Sequence, residues 1–204
     1  MFGVGLKELD ILVVYSTKHG STANLAAIIC QGVEDVPGCN ARLRTVMPIN
    51  EQKNTASDFP EKGPPYAEQK DLSECAAIIL GSPTRFGNMC AEMKFFIDQS
   101  LDNWISGGLI GKPAAFFTSS SSMHGGQEST LISMMIPFLH HGMIIVGIPY
   151  SEKSLSSTKT GGSPYGASHV SGDSRDKNLS KDEITLAQAL GRRVSTLAKK
   201  IAEN

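Results

Sequence analysis

The sequence predicts an α/β fold, a doubly wound five-stranded parallel sheet with helices on both faces. Two observations predict this class. Short apolar runs alternate along the chain with longer segments of helical period. The run at residues 76–80 is apolar throughout, which is typical of a strand covered by helices on both sides. Strand and helix alternation of this kind favours parallel strands joined by right-handed crossovers.

The elements are predicted in order from these patterns. The first helix carries its apolar residues on one side, and the second strand alternates apolar and polar residues, as an edge strand does. The expected strand order is 2-1-3-4-5, with its switch point between strands one and three. Strands are predicted at residues 10–16, 41–46, 76–80, 113–118 and 143–148, and helices at residues 21–36, 89–99, 128–141 and 181–202.

The chain of 204 residues is predicted to form a single domain, residues 1–204. Two insertions, at about residues 48–71 and 151–177, are longer than ordinary connections, so each is either a functional loop or a mobile one. A net charge of -1 from 19 basic and 20 acidic side chains favours neither a nucleic acid nor an anionic membrane as partner. No segment reaches the roughly 20 apolar residues of a membrane span, and the first residues lack a secretory pattern. We therefore expect a cytoplasmic protein without membrane insertion.

The loop after the first strand has the composition of a phosphate site. A helix that begins near Ser21 leaves backbone N–H groups unpaired and places the positive end of its dipole at the turn. Gly20 lets the backbone approach an anion, and neighbouring hydroxyls add donors. The nucleoside-triphosphate and dinucleotide glycine motifs are both missing here. An ordinary Ser/Thr helix cap is the alternative. The loop consists of Thr17, Lys18, His19, Gly20, Ser21 and Thr22.

The loop after the third strand offers backbone N–H groups, a guanidinium and an aromatic ring to a planar polar ring system. It contains Pro83, Thr84, Arg85, Phe86 and Gly87. At the switch point this loop and the first would line one crevice, which predicts bound flavin mononucleotide (FMN). The alternative is that Phe86 packs in the core and Arg85 pairs with a carboxylate such as that of Glu92.

The loop after the fourth strand combines small hydroxyl residues with glycine. These residues permit a close approach of backbone to a ring, although a solvated flexible linker is nearly as consistent with the composition. The residues concerned are Ser120, Ser121, Ser122, Met123, His124 and Gly125.

Six ordered sequence blocks together resemble a known family. They are residues 81–89, residues 96–99, Trp104 with Ser106 and Gly107, and residues 125–128, 140–143 and 161–167. These blocks are similar to the WrbA (tryptophan-repressor-binding protein) family of flavodoxin-like NAD(P)H:quinone oxidoreductases. The resemblance implies a flavodoxin-like fold, FMN as cofactor, NAD(P)H as electron donor and a quinone as substrate. It also implies a homotetramer with active sites at subunit interfaces.

The resemblance also implies roles for single residues. The FMN phosphate would bind at residues 17–22, and its ring would meet Thr84, Arg85 and Phe86, then residues 120–125, with His141 nearby. His19 would approach the nicotinamide, where the family usually has tyrosine, and Trp104 and Phe86 would line the quinone pocket. His141 is the candidate catalytic residue and would donate a hydrogen bond or proton to the quinone. The alternative is that His141 only interacts favourably with the negative end of a helix dipole at the helix C-terminus. Adjacent His140 and His141 diverge on a helix, so no metal site is predicted.

The predicted function is therefore FMN-dependent transfer of two electrons from NAD(P)H to quinones by a ping-pong mechanism. A flavodoxin-type FMN electron carrier is the first alternative, although the strongly acidic surface usual in such carriers is missing from this composition. A scaffold that has lost its cofactor is the second.

Overall fold

The computed structural model describes residues 8–49, 60, 62–172, 174 and 178–203. Residues 50–59 and 61 of the first predicted insertion, and residues 173 and 175–177 of the second, lie outside the described part. The strands are β1 (Leu9–Tyr15), β2 (Cys39–Thr45), β3 (Ala77–Pro83), β4 (Pro113–Ser120), β5 (Ile144–Ile145) and β6 (Ala167–Val170). The helices are α1 (Ser21–Glu34), α2 (Gln69–Glu74), α3 (Ala91–Asp98), α4 (Leu101–Ile105), α5 (Gln127–His140), α6 (Ser154–Ser157) and α7 (Lys181–Ala202).

The strands form one parallel sheet in the order β2-β1-β3-β4-β5. This order confirms the doubly wound, flavodoxin-like arrangement predicted from the sequence. Tyr15 at the end of β1 pairs with Gly81 in β3, and Gly81 pairs with Phe117 in β4. Because the three strands are parallel and in this register, their carboxyl ends lie together at one edge of the sheet. The loops that follow β1, β3 and β4 therefore meet there.

The outer position beside β4 is shared by two strands, where the sequence predicted one. β5 pairs with Pro113 and Ala114 at the start of β4, and β6 pairs with residues 117–120 at its end. The predicted strand at residues 143–148 is shortened to β5 because the chain then leaves β4: Val146 still donates its N–H to the carbonyl oxygen of Ala114 at 2.8 Å, but Ile148 donates to that of Pro164 at 3.0 Å. The chain re-enters the sheet as β6, which lies inside the second predicted insertion.

The core consists of two apolar layers, one on each face of the sheet. On one face α1 and α7 pack with their backbones in close contact. A Cβ atom built on Gly32 would lie 2.2 Å from the carbonyl oxygen of Gln188, so only glycine permits this approach. On the other face, α3 and α5 cover β3 and β4. No helix in the described ranges combines the length and apolar character needed to cross a bilayer.

Candidate functional site

A cavity of about 350 Å³ opens at the carboxyl edge of the sheet, where the three loops meet. Its volume falls within the range of about 300–1,000 Å³ typical of small-molecule sites. Ligands of open α/β sheets bind in this crevice, beside the switch point. The lining residues are Thr17, Lys18, His19, Ser21, Thr22, Pro83, Thr84, Arg85, Ser119, Ser120, Ser121 and Ser171.

The first loop presents the N-terminus of α1 to the cavity. Its N-cap residue is Gly20 in the left-handed conformation, with φ of 97°, and no side chain caps the helix. The Oγ1 atom of Thr17 accepts a hydrogen bond from the backbone N–H of Gly20 at 3.0 Å, which closes the turn. The alternative of an ordinary Ser/Thr cap therefore does not apply. The first-turn N–H groups and the helix dipole are left to attract an anion.

A buried pair of hydroxyls joins this helix end to β4. The Oγ1 atom of Thr22 lies 2.8 Å from the Oγ atom of Ser119. The carbonyl oxygen of Ser119 in turn accepts a hydrogen bond from the backbone N–H of Thr84 at 2.9 Å. Ser119 thus connects all three loops. The cofactor-binding residues predicted from the third loop begin at Ser120 and do not include Ser119.

The second loop contains a tight turn from Arg85 to Asn88. The backbone N–H groups of these two residues donate to each other's carbonyl oxygens at 2.8 and 3.0 Å. Phe86 and Gly87 have φ of 53° and 75°, the signature of a type I′ turn. Phe86 is fully exposed, so it is not a core residue. A bulky residue at positive φ carries strain, and such strain is often found at functional sites.

Arg85 lies at the wall of the cavity beside this turn. Its Nη1 atom donates a hydrogen bond to the carbonyl oxygen of Thr84 at 2.7 Å. No ion pair joins Arg85 to Glu92, so that alternative is also set aside for these two described residues. The Oγ1 atom of Thr84 accepts a hydrogen bond from the Oγ1 atom of Thr130 in α5 at 2.8 Å, which ties the second loop to α5.

The third loop is anchored by Gln127 in the first turn of α5. The Nε2 atom of Gln127 donates to the Oγ atom of Ser120 at 2.8 Å and to the carbonyl oxygen of Ser122 at 3.0 Å. Ser120 and Ser121 line the cavity. The other predicted residues of these loops are close along the chain to lining residues but do not line the cavity themselves. They are Gly20, Phe86, Gly87, Ser122, Met123, His124 and Gly125.

The charges of the cavity suit an anionic ligand. Its titratable lining residues are Lys18, His19 and Arg85, and no Asp or Glu belongs to the lining set that the structure describes. Together with the uncapped N-terminus of α1, this donor set fits the phosphate of FMN. The guanidinium of Arg85 and the hydroxyl side chains of Thr84, Ser120 and Ser121, which line the cavity, fit the polar edge of its ring.

His141 lies away from this cavity within one chain. It follows α5, whose 14 residues begin near the cavity and span about 21 Å towards the opposite edge of the sheet. The hydroxyl of Ser100 donates to the carbonyl oxygen of Ile97 at 2.6 Å, so it must accept from the Nε2–H group of His141 at 2.8 Å. The Nδ1 atom of His141 is buried and has no hydrogen-bond partner among the described residues. Burial, and secondly the neighbouring His140, lower the pKa of His141, which favours the neutral ring.

Trp104 is at the same far end of α5. Its indole ring is 55% exposed, and its Nε1 atom donates to the carbonyl oxygen of His140 at 3.0 Å. Several exposed apolar side chains lie on α4, on α5 and on the segment after α4, around the contact of Trp104 with His140; we call this group the exposed apolar patch, and such groups typically mark an interaction surface. The other members of the patch are Leu101, Ile105, Ile110, Ile136 and Leu139.

The fold and the cavity together define a flavodoxin-like protein with an anion-binding site at the switch point of its sheet. A family model described as NADPH-dependent FMN reductase matches residues 9–154. A relative from Geobacter sulfurreducens, named NAD(P)H dehydrogenase (quinone), is 40% identical over 202 residues, which cover 95% of this chain and 99% of the relative. A protein of the same name from Solidesulfovibrio magneticus is 38% identical over 202 residues, with coverage of 95% and 99%. The chain therefore belongs to the NADPH-dependent FMN reductase family and, within it, groups with the NAD(P)H dehydrogenase (quinone) proteins.

Solved structures agree on the fold. A flavodoxin, WrbA-like protein from Agrobacterium tumefaciens has a TM-score of 0.67 at 24% identity, covering 95% of this chain and 99% of that one. Oxidised flavodoxin 1 from Bacillus cereus has a TM-score of 0.60 at 16% identity, with coverage of 92% and 97%. The resemblance drawn from the sequence blocks is thus confirmed at the level of family and fold.

Proposed function

We propose that the protein is an FMN-dependent NAD(P)H:quinone oxidoreductase that transfers two electrons by a ping-pong mechanism. The observation that carries this proposal is the cavity itself, in which an uncapped helix N-terminus meets two loops that carry Arg85 and several hydroxyls, with no carboxylate among the described lining residues. The relatives named NAD(P)H dehydrogenase (quinone) support the reaction class.

The chain's own residues bind and orient the cofactor and its partners. The first-turn N–H groups of α1, with Ser21 and Thr22, would hold the phosphate. Arg85, at the cavity wall, would face the polar edge of the ring and favour negative charge there, whereas the backbone N–H of Thr84 is already donated to the carbonyl oxygen of Ser119. When bound in this cavity, FMN would supply the redox chemistry, the transfer of two electrons from a nicotinamide to a quinone. His19, at the cavity wall, would approach the nicotinamide.

A second copy of the chain would complete the quinone pocket. Trp104 and His141 lie about 20 Å from the cavity of their own chain, as the length of α5 requires. The exposed apolar patch around Trp104 would bring both residues over the cavity of a neighbour, in the predicted homotetramer. Because Nδ1 of His141 is buried within its own chain, a contact with the quinone would require the side chains around it to move, and only protonation would make this atom a donor.

The test begins with the full-length protein as purified. Its flavin is released and identified, and stopped-flow absorbance then follows reduction of the bound flavin by NADH and by NADPH, with benzoquinone as oxidant in a second mixing step. Steady-state rates are then measured at varied nicotinamide concentrations and several fixed benzoquinone concentrations. A ping-pong reaction is expected to give parallel lines in double-reciprocal plots of these rates. Flavin that is bound but not reduced by either nicotinamide would favour the electron carrier. A colourless protein that takes up no added FMN would favour the scaffold.

A further inference from the structure

The second insertion supplies a wall of the cavity. Ser171, directly after β6, lines the cavity together with Ser120. The backbone N–H of Ser171 donates to the carbonyl oxygen of Ser120 at 2.9 Å, and its hydroxyl donates to the same oxygen at 3.2 Å. Ser120 is therefore held from two sides, by Gln127 from α5 and by Ser171 from the insertion. The position of Ser171 depends in turn on what holds β6 and the segment before it.

A single buried carboxylate holds that segment. Glu183, in the first turn of α7, is 2% exposed and accepts four hydrogen bonds. Its Oε1 atom accepts from the backbone N–H groups of Gly161 at 2.9 Å and Val170 at 3.1 Å. Its Oε2 atom accepts from the backbone N–H of Ser180 at 2.8 Å and from the Nδ1 atom of His169 at 3.1 Å. Because a carboxylate only accepts, Nδ1 of His169 must carry the proton.

The surroundings of Glu183 keep it ionised. Burial, the largest single influence, would raise the pKa of Glu183. The hydrogen bonds from His169, Ser180 and Val170 outweigh burial, so the pKa lies below its usual range. The packing is equally tight, since a Cβ atom on Gly161 would lie 1.9 Å from the carbonyl oxygen of Ser168 and 2.7 Å from Oε1 of Glu183. The capping box accounts only for the bonds between Glu183 and Ser180. The bonds that Glu183 accepts from Gly161 and Val170 are therefore additional to its role as a helix cap.

We propose that Glu183 is a positioning residue of the cofactor site. It gathers Gly161, His169 and Val170 onto the start of α7, and so fixes Ser171 against Ser120 at the cavity wall. Glu183 itself does not line the cavity, so it acts through these two serines. The inference rests on the proposed function, because it takes FMN as the molecule that the wall retains.

The test compares two buried carboxylates with the same local role. Asp71 is also 2% exposed and, like Glu183, occupies the N3 position of a capping box. Asp71 forms ion pairs with Arg42 and Arg44, which are both residues of β2, and it does not line the cavity. Glu183→Gln and Asp71→Asn each replace one carboxylate oxygen with an NH₂ group, which faces N–H donors and cannot accept from them.

Two readouts on the purified holoproteins separate positioning from general stability. The first is the rate at which flavin fluorescence rises after dilution, which reports FMN release. We expect release from the Glu183→Gln variant to be about tenfold faster than from the wild type, the change that loss of one good hydrogen bond produces. The second is the visible circular dichroism of bound flavin, which should change in the Glu183→Gln variant. Neither readout should change in the Asp71→Asn variant.

Each outcome decides a different question. Wild-type protein that holds no flavin overturns the proposed function. Wild-type protein that holds flavin, with a Glu183→Gln variant that releases it at the wild-type rate, overturns the role of Glu183 alone. Equal acceleration in the Asp71→Asn variant would show a stability effect and would also overturn it. If the Glu183→Gln variant does not fold, His169→Phe keeps an aromatic ring but removes one of the four donors, and release about threefold faster is expected.

Discussion

Gly126 offers the sharpest test of how the second and third loops are joined. It is the N-cap residue of α5, with φ of 86°. A Cβ atom at this position would lie 2.8 Å from the Cα atom of Gly87, so the side chain would collide with backbone and not with a movable side-chain end. Gly126→Ala therefore carries two costs. The left-handed conformation costs about 1–2 kcal/mol, and forcing the two loops apart costs about a further 1–3 kcal/mol.

Gly111→Ala is the matched control. Gly111 has φ of 75°, close to that of Gly126, but a Cβ atom there would meet nothing within 4 Å. It precedes β4, at the opposite edge of the sheet from the cavity. This variant carries only the conformational cost of about 1–2 kcal/mol. The difference between the two variants isolates the collision, about 1–3 kcal/mol.

Urea unfolding of both variants measures the free energies, and FMN release from the holoproteins measures the effect on the site. We expect Gly126→Ala to unfold at lower urea than Gly111→Ala and to release FMN faster, because the collision moves the loop that carries Arg85. Gly111→Ala should release FMN at the wild-type rate. Equal loss of stability in the two variants would refute the collision, and unchanged FMN release in the Gly126→Ala variant would refute its connection to the site.

Three further changes test other parts of the molecule. Arg85→Ala should weaken FMN binding about tenfold while changing unfolding free energy by less than about 0.5 kcal/mol; unchanged affinity and kinetics would remove Arg85 from the site. The pKa of His141 in the folded chain is lowered, chiefly by burial. At a pH below the ordinary histidine pKa of about 6.5, the unfolded chain therefore binds more protons than the folded chain, and the free energy of unfolding decreases as the pH falls. Urea unfolding between pH 5 and 8, about the range in which histidine titrates, should show that His141→Asn flattens this acid limb, and an unaltered pH profile would contradict the assignment. Ile105→Glu places a charge in the exposed apolar patch and should dissociate the proposed tetramer in light scattering, whereas Ile201→Glu, outside the patch, should not; a monomeric wild type would contradict the assembly.

The part of the site that the sequence predicts is the part set by neighbouring residues. Parallel strands bring their carboxyl ends to one edge, so loops that follow apolar runs are expected to meet there. The loop after β1 depends on the start of α1, a feature encoded within a few residues, and all of its predicted residues except Gly20 line the cavity. The long, amphipathic α7 likewise has the predicted bounds, residues 181–202, because its capping box and apolar stripe are local signals.

The parts that the sequence does not predict depend on distant pairing. β6 has the sequence Ala-Ser-His-Val, which contains no apolar run, and it forms because β4 offers an unpaired edge beyond β5. Ser171 reaches the cavity only because β6 forms. The buried polar residues Ser168 and His169 are stabilised by hydrogen bonds to Gly162 and Glu183. No spacing rule connects Glu183 with a strand that precedes it by 13 residues.

One end of the cavity is built from local sequence signals and the other from pairing between distant segments. We therefore expect substitutions at the two ends to have different effects on the cavity. The phosphate end is built on α1, which is packed along its length against α7 and the sheet, so its N–H groups keep their direction as long as the domain is folded. The wall at Ser120, the last residue of β4, depends on a few hydrogen bonds, from Gln127 on one side and from Ser171 on the other. We expect loss of one such contact to leave the fold intact but to release a cavity wall. In the proposed site, residues that do not touch the flavin ring would therefore control how firmly it is held.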